Sequence, residues 1–270
     1  MSLTAVRTDT GEQITVGEIS LEELRALSGA RCLHCPGCGS PLTLKAGTVR
    51  LPHFAHLSEC TIPHYEPESE SHRMGKWALY QHFRVGALAA GLEHGFPETD
   101  QRADVFIETS TTLHVLEFQQ ANNSFQEWLE RHQRYQRLGV VDTWFLGVVR
   151  YREMRGEPLR PISPYDPLPV PRGSLGGMAG GFGIREMERA ILNTCAQSDH
   201  LPMLIYLDPQ ELQVTLLLAR EIRGMTLRAY RYRVPLAQCA LREGQLWTPL
   251  TPLLEPHTHT FAAHWRTGGR

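Results

Sequence analysis

The sequence predicts a mixed α/β (α+β) fold, and three observations point to it. Helix, strand, strand, helix and strand patterns follow one another between residues 66 and 149. Cysteines and histidines crowd residues 32–64, and further helix and strand patterns occupy 183–234, after a Pro- and Gly-rich stretch. The expected division is an N-terminal lead with a Cys/His module (1–65), a central core (66–150), a linker (151–182) and a C-terminal α/β segment (183–270).

The local patterns assign the elements in chain order. Residues EQITVGEI favour a short strand, and Ser20 with Glu23 forms a capping-box pattern that begins a helix. Residues 66–92 predict one long helix, because large apolar side chains recur there at helical spacing. The other expected elements are strands at 102–108, 113–119 and 143–149, helices at 124–138 and 183–197, and strands at 202–207, 212–219 and 226–234. The tail from about 251 is rich in Pro, Thr and His, and we expect it to be poorly ordered.

Composition excludes several classes of protein. The 270 residues are 41% hydrophobic and 21% charged, which is ordinary for a folded protein that needs no disulfide bonds. The net charge of −2 argues against a polycation that coats nucleic acid, but it leaves room for a local basic groove. The apolar runs at 144–149 and 214–219 are too short to cross a bilayer, and no apolar signal segment opens the sequence. We therefore expect a cytoplasmic protein that does not bind a membrane.

The Cys/His module has the spacing of a structural zinc site. Cys35 and Cys38 form one close pair, and His56 and Cys60 form a second pair after seventeen intervening residues. Proline and glycine between and after the two cysteines allow a tight turn in which both thiolates face one point. The ligand set stays open: Cys32 also pairs with Cys35, and His53, His34 or His64 could replace His56. Without a metal, the same residues would be buried reduced thiols or a redox pair.

Two acidic residues in apolar strand patterns predict a second metal site. Glu117 and Gln119 share one face of a strand, while Phe118 points to the opposite side. Burying an acid is costly unless it is paired or binds a metal, and Asp104 has a similar setting in RADVFI. Two such acids on neighbouring strands would make an oxygen-rich Mg²⁺ site.

A helix face adds further candidate residues. Glu68, His72 and Lys76 are spaced four residues apart and lie on one side of the predicted long helix. Glu98 precedes the RADV strand and is a fourth candidate acid. Each of these acids, taken singly, could also be an exposed strand or helix-cap residue.

Together these motifs resemble the competence protein CoiA family, bacterial proteins linked to natural transformation. The matching motifs are Cys35-Pro36-Gly37-Cys38, His53-Phe54-Ala55-His56, Glu68-Ser69 with His72 and Lys76, Arg102-Ala103-Asp104-Val105 and Glu117-Phe118-Gln119. Arg131, Tyr135, Gly139 and Trp144 fit the segment that follows. The resemblance covers roughly residues 30–150.

This resemblance implies a restriction-endonuclease-like PD-(D/E)XK core between a zinc-finger-like module and the C-terminal segment. Asp104 and Glu117 then resemble the acids that bind catalytic Mg²⁺ or Mn²⁺, and Glu68 or Glu98 would complete the metal shell. The lysine usual two residues after the second acid is Gln119 here. Our hypothesis is that Lys76 supplies the missing positive charge and Gln119 orients the attacking water. His72 is either a structural partner or a proton shuttle.

The expected function is metal-dependent hydrolysis of DNA in natural transformation or recombination. The alternatives are a DNA-binding recombination accessory protein with a weakly active or inactive nuclease-like core, and a zinc-stabilised protein-interaction module. Single-stranded or branched DNA and other recombination or competence proteins are the expected partners. Arg228, Arg231 and Arg233, interleaved with tyrosines, are candidate DNA contacts, although an exposed basic strand would show the same pattern.

Overall fold

A nine-stranded sheet forms the centre of the protein in a computed structural model that describes residues 2–60, 68–166, 168–172 and 176–268. Among these residues, no helix has the length and apolar character needed to cross a membrane. The sheet is mostly antiparallel, and helices pack on both of its faces. This arrangement confirms the predicted mixed α/β class.

The N-terminal part consists of short strands around one helix. Its elements are β1 (Thr4–Arg7), β2 (Gln13–Thr15), α1 (Leu21–Gly29), β3 (Leu33–His34), β4 (Leu42–Lys45) and β5 (His53–His56). β1 pairs antiparallel with β2 and β3, while β4 and β5 form a separate hairpin. Ser20 caps α1, since its Oγ accepts a hydrogen bond of 3.1 Å from the backbone N–H of Glu23, as the sequence predicts.

The central part begins with a helix shorter than expected. Its elements are α2 (Glu70–Phe83), β6 (Ala89–Phe96), β7 (Gln101–Glu108), β8 (Leu113–Gln119), α3 (Phe125–Arg137) and β9 (Val141–Gly147). The expectation of one helix over 66–92 was wrong at its C-terminal end. Gly86 adopts a left-handed φ of 81° just after α2, and the chain then enters β6, which pairs with β7. Residues 66 and 67 of that prediction lie outside the described residues.

The C-terminal part adds strands to the same sheet. Its elements are β10 (Arg160–Pro161), β11 (Met178–Gly183), α4 (Glu186–Gln197), β12 (Met203–Asp208), β13 (Gln213–Arg223), β14 (Thr226–Pro235), β15 (Ala240–Arg242), β16 (Gln245–Trp247), α5 (Thr251–Leu254) and α6 (Thr258–Arg266). The strand order is β10-β11-β14-β13-β12-β9-β8-β7-β6. β9 joins the two halves, because it pairs in parallel with β8 on one side and β12 on the other.

The two faces of the sheet bury different helices. Phe145 and Leu146 are neighbours on β9 and therefore point to opposite faces. Phe145 belongs to the cluster that contains Leu79 of α2, whereas Leu146 packs with Trp128 of α3 and Met187 of α4. The sheet thus places the N-terminal end of α2 and the side chains of α3 at the same strands, β7 and β8, from opposite sides.

The tail after residue 251 is folded, which corrects the expectation of poor order. α6 buries Phe261 and Trp265, and the indole Nε1 of Trp265 donates a hydrogen bond of 3.0 Å to Asn193 Oδ1 on α4. The Pro, Thr and His residues of this segment argued against order, because its apolar face consists of only a few residues within about one helical turn. The predicted linker at 151–182 also contributes to the core: Ile162, Leu168 and Val170 are buried there, although few of its residues are in strands.

Candidate active site and metal centres

The start of α2 brings three predicted residues together. Ser69 caps the helix by accepting a hydrogen bond of 3.1 Å from the His72 N–H, which fixes Glu68 just ahead of the first turn. Glu68 and Lys76 then lie on the same side, with Lys76 Nζ 2.7 Å from Glu68 Oε1. The three residues therefore lie together as predicted, although Glu68 precedes the helix cap and is not on the helix itself.

A group of possible metal ligands forms where α2 meets β7. Ligand atoms of Glu68, His72 and Asp104 lie within 4.8 Å of one another. The Nε2 atom of His72 is 3.2 Å from Asp104 Oδ2, and the backbone N–H of Phe118 donates to the same oxygen at 2.9 Å. Two neighbouring elements thus fix the Asp104 carboxylate in one orientation. We call Glu68, His72 and Asp104 the acid group.

The electrostatics of the acid group favour a charged Asp104. Burial opposes ionisation, but His72, Lys76 and Arg131 together hold the pKa of Asp104 well below its usual range. The carboxylate in turn raises the pKa of His72 against the effect of burial. Glu68 Oε2 is buried and has no hydrogen-bond partner among the residues that the structure describes. A buried acceptor without a partner is costly, so this oxygen is available to a cation.

Lys76 lies below the acid group and is fully buried. Its Nζ is 2.7 Å from Glu68 Oε1 and 2.7 Å from Glu93 Oε1. Burial lowers the pKa of Lys76, but the two carboxylates raise it above the ordinary value. A lysine with no exposed surface cannot contact a phosphate, so the geometry replaces the hypothesis of a phosphate contact with charge compensation of two buried acids.

Glu93 is the site residue that sequence reasoning missed. It accepts hydrogen bonds from the Leu3 N–H at 3.1 Å, from Thr4 Oγ1 at 2.8 Å and from Ser2 Oγ. Its φ is +51°, which is uncommon for a residue other than glycine, and β6 keeps the same register with β7 on both sides of it, from Leu92↔Val105 to His94↔Ala103. The assignment of residues 66–92 to a helix left no strand in which to place Glu93, and the left-handed backbone at this position has no local sequence signal.

Glu117 is held from the other side of the sheet. Arg131 donates to both of its oxygens, at 2.7 and 2.9 Å, and the Tyr135 hydroxyl donates at 2.5 Å. Burial and the charge of Asp104 raise the pKa of Glu117 to about 7, although Arg131 opposes the shift. Glu117 is therefore an electrostatic neighbour of Asp104, but its oxygens are not part of the acid group.

Local packing explains why Glu117 and Phe118 point as they do. Phe118 is buried against α2, where Gly75 leaves room for its ring: a Cβ at Gly75 would be 2.1 Å from Phe118 Cδ1. Glu117 consequently faces α3, whose start is fixed by a capping box between Ser124 and Glu127. The predicted turning of Phe118 into the core is confirmed.

Two other predicted residues lie away from the acid group. The Gln119 amide Nε2 donates to Ala121 O at 2.9 Å and to Asn123 Oδ1 at 3.1 Å, so it fastens the loop before α3. Glu98 is exposed on a short 3₁₀ turn and belongs to neither metal-ligand group. Orientation of a water by Gln119 stays a prediction.

The Cys/His module contains a second group of possible metal ligands. Ligand atoms of Cys35, Cys38 and His56 lie within 4.8 Å of one another, and Cys38 Sγ is 3.2 Å from His56 Nε2. Burial opposes thiolate formation, but hydrogen bonds from Ser40 and His56 lower the pKa of Cys38 to about 5. Burial raises the pKa of Cys35. Cys60, which the sequence predicted as the fourth ligand, is among the residues that the structure describes but lies outside this group.

The alternative ligands have other partners. Cys32 Sγ is 3.6 Å from Ala30 O, His34 Nδ1 is 2.7 Å from Thr8 Oγ1, and His53 Nδ1 is 3.0 Å from Leu51 O. His64 lies outside the described residues. The structure thus favours His56 over His53 and His34 as the histidine ligand.

The predicted DNA contacts on β14 differ from one another in their surroundings. Arg228 is 2.8 Å from Glu157 and 3.4 Å from Glu221, and Arg231 is 3.3 Å from Glu153. Arg233 is exposed. The interleaved tyrosines, Tyr230 and Tyr232, are buried and cannot stack on bases. Carboxylates therefore offset the charge of two of the three arginines.

Comparison with known proteins matches two family models to this chain. Residues 68–160 match the model described as "Competence protein CoiA, nuclease-like domain", and residues 16–63 match "Competence protein CoiA, N-terminal domain". The chain is 31% identical over 124 residues to the competence protein CoiA of Bacillus subtilis (strain 168). That match covers 45% of this chain and 33% of the relative, so the chain spans about a third of that protein's length. No solved structure matches.

Proposed function

The chain belongs to the competence protein CoiA family, and on that premise we propose that it is a metal-dependent DNA nuclease. It would hydrolyse phosphodiester bonds in single-stranded or branched DNA during natural transformation or recombination. The observation that carries this proposal is the convergence of Glu68, His72 and Asp104 within 4.8 Å, inside the segment that matches the nuclease-like domain. Residues 66–150 would then be the PD-(D/E)XK core.

The donor atoms of the site suit a divalent cation. The low pKa of Asp104 favours its ionised form, contacts with His72 and the Phe118 N–H orient it, and the free Glu68 Oε2 supplies a second carboxylate oxygen. Carboxylates suit Mg²⁺ and Mn²⁺, and a nearby imidazole such as His72 is better tolerated by Mn²⁺. The bound ion would activate a water and stabilise negative charge on the phosphate.

Glu117 would be the third carboxylate of the site, after Asp104 and Glu68. With a pKa of about 7, Glu117 would be partly protonated near neutral pH, and a cation beside Asp104 would favour its ionised form. Arg131 keeps the Glu117 oxygens oriented, and Lys76 keeps Glu68 in place by balancing its charge. Lys76 is thus a positioning residue in this proposal.

The Cys/His module would hold a structural zinc ion. Cys35, Cys38 and His56 supply three ligands, and Cys60 is the proposed fourth. Zinc binds cysteine as the thiolate, and the lowered pKa of Cys38 favours that form. Residues 1–65 would then be a zinc-finger-like module that provides a second surface for DNA.

Cleavage of single-stranded, double-stranded and branched DNA with Mg²⁺, Mn²⁺ or EDTA tests the proposal. We expect Asp104→Asn and Glu117→Gln to lower the cleavage rate by about 100-fold or more. Glu98→Gln is the matched control, because Glu98 is exposed on a short 3₁₀ turn, whereas the side chains of Asp104 and Glu117 are only 15% and 4% exposed. Equal cleavage by Asp104→Asn and the unmodified protein would overturn the proposal.

An inactive DNA-binding accessory protein is the second candidate function. The hold of Arg131 and Tyr135 on Glu117 favours it, since both Glu117 oxygens are already engaged. DNA binding without cleavage under any metal would support this second function.

A further inference from the structure

Among the described residues, none of the cationic side chains discussed so far for the proposed site is free to contact a phosphate. Lys76 is buried between two carboxylates, and Arg131 is bound to Glu117. His72 is bonded to Asp104. Gln119, at the position where a lysine is usual, is neutral and engaged with a loop. A nuclease site that gathers carboxylates still needs a group that attracts the phosphate backbone.

Arg102 is the exposed cation beside these carboxylates. No hydrogen bond or ion pair joins its guanidinium to any residue in the described part of the chain. Its side chain lies two residues before Asp104 on β7, so both share one face of that strand. Partial burial lowers the pKa of Arg102, but the negative charges of Glu93, Glu68 and Asp104 raise it by more, so the net shift is upward. The guanidinium therefore lies in the electrostatic field of these three carboxylates.

The backbone of Arg102 is fixed although its side chain is free. Arg102 pairs with Gly95 of β6, and its carbonyl oxygen accepts a hydrogen bond of 2.7 Å from Arg131 Nη2. The same Arg131 nitrogen contacts Glu117. The charges that act on Arg102 also include that of Cys35 in the Cys/His module.

We infer that Arg102 binds a backbone phosphate of DNA at the edge of the acid group. The guanidinium fork matches two phosphate oxygens, and it is always charged. Its exposed, unpaired state means that a phosphate replaces only water and breaks no ion pair. This inference rests on the proposed function, since it names the residue that would hold the nucleic-acid substrate in that site.

DNA binding without added Mg²⁺ or Mn²⁺ tests Arg102 apart from cleavage and leaves a zinc ion of the Cys/His module in place. The probe is a fluorescein-labelled duplex, measured by fluorescence anisotropy over a range of salt concentrations. For Arg102→Ala we expect Kd to rise about tenfold and the slope of log K against log[salt] to fall in magnitude by about 0.9. Arg102→Lys retains the charge and should keep most of the slope. Arg189→Ala, which removes an exposed arginine on α4, is the matched control and should bind as the unmodified protein does.

An unchanged Kd and salt slope in folded Arg102→Ala would overturn the inference, even if the unmodified protein cleaves DNA. A second readout is the KM for cleavage, which should rise in Arg102→Ala more than kcat falls. If no protein cleaves DNA but the slope still falls, the phosphate contact stands and the nuclease proposal fails. The two proposals can therefore fail separately.

Discussion

Replacing Lys76 with methionine tests the buried charges beneath the acid group. Methionine has a similar length but no charge, so it leaves Glu68 and Glu93 without the ammonium that lies 2.7 Å from each. Removing one partner of a buried ion pair destabilises a protein by about 3–5 kcal/mol, because an uncompensated charge remains. Glu93 is only 3% exposed, so we expect Lys76→Met to lower the free energy of unfolding by that amount. This is a large share of the roughly 5–15 kcal/mol typical of a native protein.

The pH dependence of this loss gives a second measure. In the unmodified protein, burial is outweighed by the charges of Lys76 and Arg102 and by hydrogen bonds from Lys76 and Ser2, and the pKa of Glu93 falls to about 2. Its stabilising contribution is present above the unfolded pKa of about 4.3 and is lost as pH falls towards 2. Without Lys76, burial raises the pKa of Glu93, and stability then falls as pH rises through it. The difference in unfolding free energy between the two proteins should grow from pH 4 to pH 7.

Urea denaturation followed by tryptophan fluorescence measures both effects. Glu93→Gln alone and the double variant Lys76→Met/Glu93→Gln complete a double-mutant cycle. We expect the double variant to be more stable than Lys76→Met, because the buried carboxylate is gone. Additive losses, or a loss below about 1 kcal/mol in Lys76→Met, would refute the reasoning.

Three further predictions concern packing and the Cys/His module. Gly75→Ala should destabilise the protein by about 1–3 kcal/mol in urea denaturation, because its Cβ would collide with Phe118, whereas Gly95→Ala meets nothing within 4 Å and should not. Trp265→Ala should cost about 3–5 kcal/mol, and a change near zero would mean that α6 contributes little to the core. Purified protein should contain zinc by mass spectrometry, lost in Cys38→Ser but kept in Cys195→Ser; zinc retained by Cys38→Ser would contradict the ligand assignment.

Local spacing was enough to predict the parts of the site that lie on one element. The shared side of His72 and Lys76 follows from helical periodicity, with Glu68 just before the helix cap, and the opposite directions of Glu117 and Phe118 follow from the alternation of a strand. The tight turn that brings Cys35 and Cys38 together follows from the short spacing of these two cysteines. In each case the residues that meet are within eight positions of one another.

Contacts between distant residues could not be predicted in this way. Arg131 meets Glu117 only because α3 packs across β8, and Glu93 meets Lys76 only because the chain leaves α2 early and enters β6. The segment AAGLEHGF contains no β-branched residue that would favour a strand, so its pairing with β7 overrides local propensity. The free state of Arg102 is likewise a property of its surroundings and has no sequence signal.

The two candidate metal centres are joined by buried polar contacts. Ser2 exchanges backbone hydrogen bonds of 2.9 and 2.8 Å with Phe54 on β5, the strand that ends at His56. The Ser2 hydroxyl then donates to Glu93, which holds Lys76, which in turn holds Glu68 of the acid group. Anything that loosens β5 therefore weakens the donors of Glu93 and the orientation of Glu68. We therefore expect the Cys/His module to stabilise the acid group through these intervening residues, because the buried charge of Glu93 depends on donors from Ser2, Leu3 and Thr4.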